Sequence, residues 1–101
     1  MNGTVAAALR SLHDRVNVTD GASHPEDRAS VVELFQILRS GGEQCEPGEV
    51  ARFLQQLGWS SRNAQSIADI GRRVWSGHRF RTNTGNWDPT ILQSWRQEST
   101  V

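Results

Sequence analysis

The sequence predicts an all-α fold, a single compact domain of about five helices. Three observations predict it. Apolar residues recur at helical spacing in successive segments, and no segment sustains the period-2 alternation of a strand. Helix punctuation frames these segments, with a capping residue or proline before and often glycine after. The 101 residues are 36% hydrophobic and 22% charged, which suits one small globular domain and is too polar for a membrane protein.

The elements follow in order. Thr4 is placed to cap a first helix over 5–16, with Val5, Leu9, Leu12 and Val16 on a narrow apolar stripe. Residues 17–22 are rich in turn formers and read as a linker. The division expected is therefore an N-terminal helix and linker (1–22) and a helical core domain (23–101), with the first helix packing peripherally or against another copy. Ser23 and Glu26 have the spacing of a reciprocal capping box, and Pro25 suits a first turn. That helix is expected over 24–40, buries Val31, Leu34, Phe35 and Leu38, and ends at Gly41-Gly42.

Pro47 opens a third helix over 47–57 with Val50, Phe53, Leu54 and Leu57 on one face. Gly58-Trp59 turns the chain into a fourth helix over 61–76, giving a central helix-turn-helix unit. Its face of Ala64, Ile67, Ala68, Gly71, Val74 and Trp75 is mostly small, so Gly71 is expected at a helix crossing, since glycine within a helix otherwise costs about 1 kcal/mol. Asp88 and Pro89 are expected to start a short last helix bearing Ile91, Leu92 and Trp95.

Charge is neutral in total but uneven. Residues 1–61 hold five Arg against eight acids, and residues 62–101 hold six Arg against three. All eleven cations are Arg. The sharpest run extends from Arg72 to Arg81 and contains Arg72, Arg73, His78, Arg79 and Arg81 without an acid. Such a run at the end of a helix is favoured by the helix dipole alone. It is also a candidate contact for phosphate or a partner. Arg neutralises phosphates, and interleaved Trp75, Phe80 and Trp87 could stack on unpaired bases. Asn83, Thr84 and Asn86 are candidate hydrogen-bonding groups beside it. Trp87 and Trp95 are candidate interface residues, since Trp and Arg anchor many protein interfaces.

Residues 34–95 resemble the YoaC-like family of small bacterial proteins of unknown function. The resemblance rests on Leu34, Phe35 and Leu38 followed by Gly41, the helix from Val50, and the Gly58-Trp59 corner. Gly77-His78-Arg79 and the helix opened by Pro89 complete it. It implies a compact helical fold and a stand-alone bacterial protein, and it supplies no catalytic residues. The segment between Arg79 and Pro89 looks longer than the family's.

No catalytic, cofactor or metal site is expected. Cys45 is the only cysteine, and His13, His24 and His78 stand in different segments, whereas a zinc site needs about four close ligands. No phosphate-cradling glycine motif occurs. Glu43 and Glu46 flank Cys45, which disfavours a thiolate nucleophile. His78 has no carboxylate beside it in sequence to make it a general base. Met1 to Arg10 lacks the apolar core of a secretory signal, so the expected location is cytoplasmic.

The function expected is a non-catalytic interaction module with an unidentified protein partner. Nucleic-acid binding through residues 72–81 is the alternative. No membrane association is expected, and homodimer formation is compatible with so small a core.

Overall fold

A computed structural model describes residues 1–81 and 85–100. It contains five helices and, among the described residues, no strand: α1 Gly3–Arg15, α2 Pro25–Ser40, α3 Pro47–Gln56, α4 Ser61–Trp75 and α5 Ile91–Ser99. Among the described residues no helix is long and apolar enough to cross a membrane.

Local chemistry sets the helix ends. Asn2, not Thr4, caps α1, its side-chain oxygen accepting from the amides of Thr4 (2.8 Å) and Val5 (3.2 Å). The expected Ser23 box does not form. Pro25 occupies the first helical position, which makes His24 the cap residue and leaves Ser23 one residue outside. Ser60 caps α4 by accepting from the Asn63 amide at 3.1 Å. At the other end of the chain, Asp88 accepts from the Thr90 amide and hydroxyl (2.7 and 2.6 Å), closing a turn before α5 starts at Ile91.

Two glycines close their helices in the same way. Gly58 (φ 105°) lets the Trp59 amide reach back to the Leu54 carbonyl at 3.1 Å. Gly77 (φ 97°) does the same for the His78 amide and the Arg73 carbonyl at 2.9 Å. Both are Schellman closures, which need a left-handed residue that glycine adopts without strain. Trp59 then buries, and its indole N–H donates to His13 Nδ1 at 3.0 Å, tying the α3–α4 corner to α1.

The core runs through all five helices. The first helix is not peripheral as expected. Val5, Ala8, Leu9 and Leu12 are fully buried, and α1 packs on α5, α2 and α3. The alanines 6–8 carry too little bulk to hold neighbours apart, so the helix is enclosed on more than its Val-Leu stripe. The 17–22 segment is packed as well. Gly21 and Ala22 are buried, and the Asn63 side chain donates to the carbonyls of Val18 (3.2 Å) and Thr19 (3.4 Å).

Helices α2 and α4 run side by side in the same direction. Phe35 meets Gly71 and Trp75, and Arg39 meets Gly77. A Cβ on Gly71 would fall 2.7 Å from Phe35 Cε1, so this crossing requires glycine. The parallel course brings the C-terminal ends of α2 and α4 together at one end of the molecule.

The reading of Trp87 and Trp95 as candidate interface residues is corrected. Trp87 is 6% exposed and Trp95 is fully buried, and the two rings meet edge-on at 5.5 Å. Each indole N–H is satisfied internally, that of Trp87 by the Ser30 carbonyl (2.9 Å) and that of Trp95 by Ser11 Oγ (3.0 Å). A tryptophan whose polar edge finds an internal acceptor can bury its whole ring. Ile91 and Leu92 pack partly buried against the same core.

Candidate functional site

The Schellman closure at Gly77 determines where the chain leaves α4. It sends His78 and Arg79 toward the last turn of α2, where Arg39 projects across the end of α4. Arg39 Nη2 lies 3.7 Å from the position a Cβ would take on Gly77. The result is a cleft of about 380 Å³ lined by Gln36, Arg39, Ser40, Val74, His78 and Arg79. Two guanidinium groups and an imidazole line it, and no carboxylate does. His78 is held edge-on to Phe80, ring centroids 4.5 Å apart.

A second depression of about 350 Å³ adjoins it across α2, on the side of α5. Ile37, Pro89 and Leu92 supply its apolar surface, and Gln36 and Ser40 belong to both depressions. Glu33 lies at its far end and accepts from the Trp87 amide at 3.0 Å. The outer face of α2 thus carries one track across it, basic on the α4 side of the Gln36–Ser40 ridge and apolar on the α5 side.

The run from Arg72 to Arg81 does not act as one patch. Arg72 and Arg73 both bind Asp69, at 2.6 and 3.1 Å, on the exposed side of α4. The hydrogen bond from Arg72 holds the Asp69 carboxyl below the usual carboxylate range, with the charges of Arg73 and Arg72 adding to it. His78 and Arg79 line the cleft, and Arg81 is exposed outside its lining. Of the polar groups expected beside them, Asn86 is engaged internally, donating to Ser30 Oγ at 2.9 Å. Asn83 and Thr84 lie outside the described residues.

Arg39 was not singled out from the sequence. It stands about 40 positions before His78, in the half where acids outnumber arginines, and only helix packing joins them. Its place in the last turn of a predicted helix was the one available signal.

Cys45 is half-buried, and its thiol is pushed up to about 11 by burial and by the nearby Glu49 carboxylate. A thiol so shifted is a weak nucleophile at neutral pH. Among the described residues no group of three His, Cys, Asp or Glu side chains could hold a metal ion.

A family model described as a domain of unknown function, DUF1889, matches residues 1–96. The chain belongs to the DUF1889 family. No curated protein and no solved structure matches it. The DUF1889 match takes in α1 to α4 and the first two-thirds of α5, in keeping with a core that α1 shares. The cleft between the ends of α2 and α4 therefore lies wholly within the DUF1889 unit.

Proposed function

We propose that this DUF1889 chain is a non-catalytic interaction module that docks an acidic segment of a partner protein along the outer face of α2. One observation supports it above the others: Gln36 and Ser40 form a common wall between the basic cleft and the apolar depression. A ligand occupying both would place negative charge beside Arg39 and Arg79 and an apolar side chain against Ile37 and Leu92. Charge complementarity of this kind steers encounter and sets register, while the apolar anchor supplies contact area. The proposal includes the stand-alone bacterial protein that the YoaC-like resemblance implies and, separately, a cytoplasmic setting.

Nucleic-acid binding through residues 72–81 is the second reading. The pairing of Arg72 and Arg73 with Asp69 weighs against it, since two of its four guanidiniums already have a carboxylate.

The test is fluorescence anisotropy with a labelled peptide of alternating Glu and Leu, at low and physiological salt. Micromolar binding that weakens with salt and is lost in Arg39→Glu/Arg79→Glu is the expected result. Tighter binding of a labelled oligonucleotide, or sedimentation showing that the chain occupies this face with a second copy, would overturn it.

A further inference from the structure

We propose that Arg39, His78 and Arg79 bind a phosphate monoester dianion, so that the segment docked on α2 carries a phosphorylated residue. This rests on the docking face above for its biological ligand.

The argument starts from the pairing of the arginines. Arg72 and Arg73 share Asp69, Arg96 lies 3.5 Å from Glu43 and donates to the Gly41 carbonyl, and Arg15 caps Trp87. Arg39 and Arg79, like Arg10, Arg28, Arg52, Arg62 and Arg81, have no carboxylate within ion-pair distance among the described residues, but these two share one cleft with an imidazole and without a carboxylate. The helix dipole accounts for a cation in the last turn of α2. It does not account for His78 and Arg79, which lie beyond α4, joining that cation in the same concavity.

The C-terminal dipole ends of the two helices disfavour an anion here, and the charges of Arg39 and Arg79 are what offset them, while capping bonds leave fewer carbonyls open. The Schellman bonds occupy the Arg73 and Val74 carbonyls of α4, and the Gly42 and Glu43 amides bind the Arg39 and Leu38 carbonyls of α2. The donors come from three places: the end of α2, the residue after Gly77, and the one after that. A carboxylate offers two oxygens and one charge, enough for a single guanidinium fork. A phosphate monoester offers three oxygens and nearly two charges at neutral pH, which matches two forks and an imidazole. The Ser40 hydroxyl and Gln36 amide stand in the same lining as further donors.

The experiment is a ¹H–¹⁵N NMR titration of the full chain at pH 7 with N-acetyl-phosphoserine amide, and with N-acetyl-glutamate amide at matched ionic strength. Saturable shifts at the Gly77, His78 and Arg79 amides and at Arg39 Nε are expected, with the glutamate compound at least tenfold weaker. Arg39→Gln and Arg79→Gln should each weaken phosphoserine binding about tenfold, and Arg72→Gln should leave it unchanged. All three side chains are on the surface, and the spectra themselves report that the variants are folded.

Equal affinity for the two compounds, or an equal loss in Arg72→Gln, would reduce the cleft to a patch of charge and overturn the proposal. So would a 5′-phosphorylated oligonucleotide that displaces a phosphopeptide from the cleft. If the phosphoserine compound fails while the Glu-Leu peptide still binds, only the phosphate proposal falls. If it saturates the cleft while phosphorylated and unphosphorylated Glu-Leu peptides do not bind, the docking face falls with the segment assigned to it.

Discussion

The Arg15 guanidinium lies 4.0 Å over the ring of Trp87 and donates to the carbonyl of Asn86. The C-terminal end of α1 thus clamps the segment before α5 from outside, while Ser30 and Trp95 hold the same ring from within. Through this ring the first helix, the second and the last are fastened together, and the Pro89 edge of the docking track is positioned.

Trp87→Ala removes a buried ring that contacts three helices, and a loss of about 3–5 kcal/mol in unfolding free energy is expected. Arg15→Ala removes only the outer clamp, with a loss of about 0.5–1 kcal/mol, as for a solvent-exposed cation over a ring face. Urea unfolding of both variants checks the order. A loss in Arg15→Ala as large as that in Trp87→Ala would show that the clamp, not the ring, holds the segment.

Gly71→Ala forces a methyl to 2.7 Å from Phe35 Cε1, well inside contact distance. Overpacking of this kind costs about 1–3 kcal/mol. In Gly71→Ala/Phe35→Leu the clash is relieved, so the double variant should lose clearly less than the two single losses added. Additive losses in a double-mutant cycle would mean that α2 and α4 yield elsewhere.

Cys45, with its thiol at about 11, should react slowly with iodoacetamide in the folded protein at pH 8. A free cysteine near its ordinary value of about 8.5 is partly thiolate at that pH, so unfolding in urea should speed alkylation on the order of a hundredfold. Glu49→Gln removes one of the groups that raise the thiol and should speed the folded-state reaction modestly. Mass spectrometry of timed samples reads both rates.

Asp69 should give the fold a small acid-sensitive contribution. Its carboxyl is held below its unfolded value by Arg72, so the contribution is present above about pH 4 and is lost as pH falls through the folded value. The side chain is open to solvent, which screens the pair and keeps the contribution small. Asp69→Asn should flatten the dependence of the urea midpoint between pH 5 and 2. The same variant frees Arg72 and Arg73, and it should leave phosphoserine binding in the Arg39–Arg79 cleft unchanged.

The sequence by itself determined the five helices and, for most of them, where they stop, because those signals act within a turn or two of the chain. Pro47 does its work through its fixed φ at the first helical position, and Ser60, Gly58 and Gly77 through hydrogen bonds between residues three to five positions apart. The i+3 and i+4 spacing of Arg72 and Arg73 from Asp69 was legible in the same way. Gly71 could be assigned to a crossing because a mid-helix glycine needs a packing reason. The Ser23 cap was missed by one residue, since Pro25 overrides the capping box.

Only the tertiary structure decided what depends on distant surfaces meeting. The polar edge of Trp87 finds its acceptor at Ser30, 57 positions away, and that of Trp95 finds Ser11, 84 positions away, so both rings bury. Enclosure of α1 by α5 follows from small residues that carry no partner code in the sequence. The joining of Arg39 to His78 and Arg79 follows from the parallel course of α2 and α4, which local propensity does not specify. Side-chain identity shows what a residue can bind, and the packing of the helices selects the neighbours from which it chooses.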